Sequence, residues 1–347
     1  QTASGGLGGG GAGKLGTGAS GLANTGGGGG GGGWDGSVGQ GGAGGSGVVI
    51  VRYSGPDAST GGAVSSFTGN GVIGQNGVSY QVRTFASSGT FTVNNITASI
   101  SGIISGTGSL TADATGGSIS ITGANTYTGT TTIGGGNVKV TNASGLGNNS
   151  AVTVSNVAGA TLELTNTNAS PASNPLAVTI GSLAGGGTTG GNVVLGANTS
   201  LQTGNNNTTT NYAGIISGAG DLVKQGTGTW ILSGANTFSG VTTISGGTLQ
   251  VGAGGTTGTL GTGNVVDNAT LTFNLSSSIM VGNAISGTGS LVQAGSGVLN
   301  LQTANTYSGG TVVNSGTLGV YNNNAIGTGS LTMAGSTTLT AGNAVTL

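Results

Sequence analysis

Ile215-Ile216-Ser217-Gly218-Ala219-Gly220-Asp221-Leu222, then Ala235-Asn236-Thr237-Phe238-Ser239-Gly240, then Thr242-Thr243-Ile244: this chain writes that sentence three times. An earlier copy runs Ile103-Ile104-Ser105-Gly106-Thr107-Gly108-Ser109-Leu110, Ala124-Asn125-Thr126-Tyr127-Thr128-Gly129, Thr131-Thr132-Ile133. A later one runs Ala284-Ile285-Ser286-Gly287-Thr288-Gly289-Ser290-Leu291, Ala304-Asn305-Thr306-Tyr307-Ser308-Gly309, Thr311-Val312-Val313. From the second isoleucine to the alanine of Ala-Asn-Thr the gap is 20, 19 and 19 residues, whereas the copies begin 112 and 69 residues apart. A repeat of this size cannot bury its apolar face alone. It must stack on its neighbours, which predicts an elongated solenoid.

The stretches between these anchors alternate with period two and show no helical period. Ser118-Ile119-Ser120-Ile121-Thr122, Asn137-Val138-Lys139-Val140-Thr141, Ala151-Val152-Thr153-Val154 and Thr161-Leu162-Glu163-Leu164-Thr165 each put aliphatic residues on one face. Thr and Val suit a pleated, half-buried surface, and Gly or Asn at the ends tolerates the left-handed angles of tight corners. The expected class is all-β: a parallel β-helix preceded by a Gly-rich segment and a small β module. At roughly 20 residues per coil and ~4.8 Å per rung, a dozen coils would make a rod of about 60 Å. Leu110, Ile121, Ile133, Leu222, Ile231, Ile244, Leu249, Leu291, Leu299, Leu301 and Leu318 are expected to point inward.

Composition narrows the function. Five Lys or Arg and six Asp or Glu are the only charges in 347 residues, with no His and no Cys. An ordinary domain is about a quarter charged. The net charge of -1 gives no basic footprint for nucleic acid or an anionic bilayer. No apolar run approaches the ~20 residues of a membrane-spanning helix, so no membrane insertion is expected. Nor does the printed start, Gln1-Thr2-Ala3-Ser4, read as a signal peptide; an exported chain would have lost it or carry it upstream.

Three regions are expected: a glycine-rich segment over 1–53 ending in a strand, a small β connecting module over 54–95, and the repeat region over 96–347. Half of the first 50 residues are Gly, which fits either a flexible linker or side-by-side extended helices. Tyr80-Gln81-Val82-Arg83-Thr84-Phe85 and Thr90-Phe91-Thr92-Val93, joined by Ser87-Ser88-Gly89, read as a hairpin. Between the first two copies, Pro171 and Pro175 mark extra coils with a looped-out segment.

The segments Ser105-Gly106-Thr107-Gly108-Ser109-Leu110, Thr227 through Gly240 and Ser245-Gly246-Gly247-Thr248-Leu249-Gln250-Val251-Gly252 resemble the passenger-associated repeats of autotransporter adhesins. The resemblance covers roughly 96–347 and implies a right-handed parallel β-helix at, or secreted from, a bacterial surface. Separately, Gly44-Gly45-Ser46-Gly47-Val48-Val49-Ile50-Val51-Arg52-Tyr53 resembles glycine-rich domains of phage tail adhesins and bacterial surface proteins.

Motifs that suggest chemistry fail on inspection. Gly8 through Leu15 imitates a phosphate-binding loop, but Leu15 stands where Ser or Thr must reach magnesium. Asp35 alone in a Gly-rich turn does not make a calcium repeat. Asp113, Glu163, Asp221 and Asp267 are isolated in sequence, without the cluster an acid–base site needs. Asp221 and Lys224 read as a surface pair or as solvated charges. The expectation is therefore no catalytic, cofactor-binding or metal-binding residue, and no cofactor. Tyr127, Phe238 and Tyr307 share one repeat position, where they either pack the core or offer a stacking platform for glycans.

What remains is a non-enzymatic extracellular protein. One reading is a self-associating fibre or matrix subunit whose partners are copies of itself. The alternative is an adhesin passenger or stalk carrying a surface for a glycan, host or substratum ligand, and a weaker one is a phage tail fibre. Val48, Val49, Ile50, Val51 and Tyr53 at one end, with Leu339, Val345 and Leu347 at the other, are the candidate head-to-tail contact, because an open rung is a template for another chain.

Overall fold

The computed structural model describes residues 97–347 apart from 148, 169–172, 343–344 and 346–347. Before these it describes residue 20 and the backbone of the strands Lys14–Leu15, Gly32–Gly33, Val49–Ser54, Ala63–Thr68, Ser79–Phe85 and Phe91–Thr92. No helix occurs among the described residues, and from Phe91–Thr92 onward every strand pairing is parallel. The fold is a parallel β-solenoid.

Its rungs stack on three faces. The long face carries eleven successive strands, from Leu110–Ile121 through Ser182–Gly185, Thr229–Leu232 and Thr270–Phe273 to Leu331–Met333. A six-strand face runs from Leu176–Thr179 to Ile285–Ser286. The split face begins with Thr97–Ile100 and ends its first part at Ile216–Gly218; its second part runs from Ile279–Val281 to Thr338–Ala341. Between the two parts, residues 235–238 stack on Ile216 through backbone bonds, and Ala235 bridges to Thr259. At ~4.8 Å per rung, eleven rungs make a stack of about 50 Å.

One coil takes about twenty residues where the ladder is regular: Trp230, Leu249, Leu271 and Leu291 lie directly over one another. Two coils are longer, Ala151 pairing with Ser182 and Gly185 with Tyr212. They add Leu176–Thr179 and Thr199–Thr203, the first two strands of the six-strand face, so the chain after Pro175 adds strands to the solenoid. Pro171 lies outside the described residues.

Like stacks on like inside. Ile119, Val138, Leu162, Val193 and Ile216 form one fully buried column, with Ile121, Val140, Leu164 and Leu195 as the next. Each such side chain contributes about 1.5–3 kcal/mol on burial. Of the expected core residues, Ile121, Ile133, Leu222, Ile244, Leu249, Leu291, Leu299, Leu301 and Leu318 are buried. Leu110, at the head of its strand, is half-buried.

Ile231 is a correction, because it faces outward while Trp230 and Leu232 face in. Period-two alternation allows only one parity. The indole settles it, since Trp230 Nε1 donates to the Leu183 carbonyl inside the core at 3.1 Å.

The expected hairpin is also replaced. Ser79–Phe85 is the central strand of an antiparallel three-stranded sheet, between Val49–Ser54 and Ala63–Thr68. Phe91–Thr92 instead pairs in parallel with Leu110–Ile121 and so starts the solenoid.

Candidate functional site

The repeated Ala-Asn-Thr-aromatic run forms a side of the triangle that has no regular strand, and its asparagine joins three rungs. Asn236 Oδ1 accepts the backbone N–H of Ile216 from the rung below at 2.9 Å. Its Nδ2 donates to the Thr259 carbonyl of the rung above at 2.7 Å. Asn125 does the same between Ile104 and Gly145, and Asn305 between Ile285 and Ala325. All three are buried. In a side whose backbone bonds between rungs are irregular, this amide satisfies a donor and an acceptor that would otherwise be lost. The glycine that ends the run is dictated by stacking: a Cβ at Gly129, Gly240 or Gly309 would collide with the backbone of Gly108, Gly220 or Gly289 below it.

The aromatics of the run belong to the core. Tyr127, Phe238 and Tyr307 are at most 1% exposed, which removes them as glycan platforms. The Tyr127 hydroxyl shares a hydrogen bond with Thr131 Oγ1, and Tyr307 with Thr311 Oγ1. Burial pushes both phenols up to about 12, so they stay neutral.

The copies do not share a face. Leu110 and Leu291 lie on the long face, whereas Leu222 lies on the six-strand face. The motif is thus turned by one face in the middle copy, and the starts of successive copies are not separated by whole coils. The first interval also spans more coils, the two longer ones among them, so the offsets of 112 and 69 residues differ.

Charge is arranged differently from expectation. Asp221 is exposed and accepts the Val241 N–H, but Lys224 is buried and does not pair with it. Strand parity turns Lys224 inward behind Leu222. There its Nζ donates to the carbonyls of Gln225, Gly226 and Gly246 at 2.6, 3.1 and 3.1 Å. Burial holds its pKa below the usual lysine value. Gln293 fills the same repeat position in the later copy and donates to the carbonyls of Gly295 and Gly297. The position is a corner cap.

Asp267, fully buried two rungs above Lys224 on the same inward column, accepts the Ala269 N–H through Oδ1, and its Oδ2 has no partner among the described residues. Burial pushes its carboxyl up to about 6. On the outer surface Glu163 accepts from Asn137 Nδ2 at 2.7 Å and lies 3.6 Å from Lys139 Nζ. The Asn137 bond holds its carboxyl below the usual range, assisted by Thr165 and Lys139. Among the described residues no three acidic side chains converge as a metal site would require.

Two clefts open beside the split face. One, of about 480 Å³, has Leu260, Phe273 and Val281 on its walls, with Asn236 and Asn283, and Met280 among its exposed residues. The other, of about 320 Å³, lies between Gly187–Gly190 and Thr257 over Ala213, Ile215 and Ala235. No charged residue lines either. Of the aromatic side chains described, only Tyr321 is exposed to water.

Of the residues expected to make a head-to-tail contact, Leu339 and Val345 are half-buried against the core beside the last described rung. Val49, Ile50, Val51 and Tyr53 lie in a strand paired along one edge with Ser79–Phe85. Val48 and Leu347 lie outside the described residues, as do Asp35 and the packing of the glycine-rich segment. The buried asparagine and Lys224 escaped the sequence reading. Three recurrences of Asn between Ala and Thr were the available signal for the first.

The Passenger-associated-transport-repeat family matches residues 116–140, 222–251 and 291–320, which contain Asn125, Asn236 and Asn305. The Adhesin BmaC autotransporter of Brucella suis biovar 1 (strain 1330) is 34% identical over 169 residues, 49% of this chain. The chain spans only 5% of that relative's length. No solved structure matches.

Proposed function

From a chain that carries three passenger-associated-transport repeats, we propose an adhesin-type autotransporter passenger: a non-enzymatic β-solenoid rod that displays binding surface outside the cell. The repeat places the chain at the cell surface or in the extracellular medium. The observation that carries the reading is the coincidence of each matched repeat with an asparagine-stapled, strandless side, in a chain similar to a named adhesin. A parallel ladder extends length at constant cross-section, and its outer faces are Thr, Ser, Asn and Gln with very little charge. Such a surface adheres through hydrogen bonds and apolar contact, without steering by charge.

The test is made on bacteria that export the protein. Protease added to intact cells should remove residues 97–347, and deletion of that segment should lower adhesion to a host-cell layer or a matrix-coated plate. Unchanged adhesion, with the wild-type passenger shown to be outside the cell, would overturn the reading.

Self-association is a finer proposal within the same function. Its support is a surface with very little charge and a net charge of -1, which does little to repel a second copy. A solution mass that rises with concentration would support it, and a monomer at all concentrations would remove it.

A further inference from the structure

The aromatic side chains whose environment is described are buried with one exception, and the exception sits between two glycines. Tyr321 follows the strand Thr317–Val320 and is 52% exposed, its backbone held by the Leu301 carbonyl. A Cβ at Gly342 on the next rung would come within 2.6 Å of its ring, and one at Gly319 within 3.2 Å. Backbone at these two glycines therefore borders opposite edges of the ring, and about half of the residue is open to water.

Amides are the neighbours of Tyr321 in the chain and across the rung, with Asn322 Oδ1 accepting the Asn324 N–H and Gln302 Nε2 donating to Met280 Sδ. Asn322, Asn323 and Asn324 follow directly, the last two exposed, and Gln302 is its exposed neighbour on the rung below. From residue 268 to the end of the printed sequence there is no Asp, Glu, Lys or Arg. A flat aromatic face provides an apolar surface for ring C–H groups, and amides both donate and accept hydrogen bonds to hydroxyls. With no cationic side chain in this part of the chain, nothing pairs with the charge of an anion.

We propose that Tyr321, with the amides of Asn322, Asn324 and Gln302, binds an uncharged glycan whose pyranose ring stacks on the phenol. The inference rests on the adhesin reading and supplies its ligand class. The three repeat aromatics do not share the role, because none reaches water.

The test uses the full chain against immobilised cellotetraose, chitotetraose and mannotetraose, with sialylated and sulfated oligosaccharides as anionic controls. Binding should favour a neutral probe. Tyr321→Ala should weaken it about tenfold or more, and Tyr321→Phe should keep it within about threefold, since stacking needs the ring. Gly342→Val, which displaces the ring, should also weaken binding, and thermal unfolding is followed for all variants to separate lost binding from lost fold. Preference for the anionic probes, binding unchanged in Tyr321→Ala, or no binding to any probe would each overturn the inference. If that happens while the wild-type chain still adheres to the cell layer, only the ligand class fails. If the chain adheres to nothing, the adhesin reading fails with it.

Discussion

Replacing Asp267 by Asn should change how stability depends on pH. The carboxyl is fully buried beneath Gly289, with one oxygen accepting the Ala269 N–H and the other unpartnered. Ile244 separates it from Lys224 in the inward column, and Tyr307, the other titratable group near enough to feel its charge, is neutral at these pH values. Burial raises its pKa from 3.8 to about 6. The folded state therefore holds the proton more tightly than the unfolded chain. Stability is greatest below about pH 4 and declines as pH rises through 6, where the ionised form is buried at a cost. A shift of this size corresponds to about 3 kcal/mol.

Asp267→Asn keeps the acceptor and removes the titration. The wild type should lose most of that 3 kcal/mol between pH 4 and 7, and the variant should show little slope over the same range. Solenoids need not unfold in two states. Amide exchange in Val265–Asp267 and Ser290–Gln293 is therefore the better assay, with urea melts alongside. A wild type whose exchange protection does not change with pH, or a variant with the same slope, would refute the account of a buried, ionisable Asp267.

Three further outcomes follow from the rungs. Asn236→Ala leaves the Ile216 N–H and the Thr259 carbonyl unpaired and should cost about 2–4 kcal/mol in urea melts, most visibly in exchange around residues 216 and 259. Lys224→Gln should cost under about 1 kcal/mol, as Gln293 already performs that role, whereas Lys224→Met strips three carbonyls of their donor and should cost about 2–3 kcal/mol. Leu232→Ala should cost about 2–5 kcal/mol by cavity formation, against about 1 kcal/mol or less for the outward Ile231→Ala, and denaturant midpoints read the difference.

The fold was legible because the apolar period is strict. Val138 and Val140, or Leu162 and Leu164, can bury only on one parity, and that parity agrees with the parallel register found. Ile231 was misread because it stands between two apolar neighbours, Trp230 and Leu232, where hydrophobicity alone does not choose the parity. Lys224 was misread for a related reason. Composition says that lysine belongs in water, but strand alternation turned it inward, where free corner carbonyls accept its protons. The Asn125, Asn236 and Asn305 staples were visible as recurrence, yet their reach across rungs is a property of stacking that no single copy displays. Tyr321 carried no signal at all, because its exposure depends on Gly319 beside it and Gly342 one coil later.

Adhesion by the folded rod itself is the most direct measurement. Inert beads coated with the purified chain are settled on a host-cell layer or matrix-coated plate, and the force needed to detach them is compared with beads carrying urea-unfolded chain. The account predicts firm retention by the folded chain and loss of retention when the rungs are melted. Beads that wash off equally in both cases would contradict it.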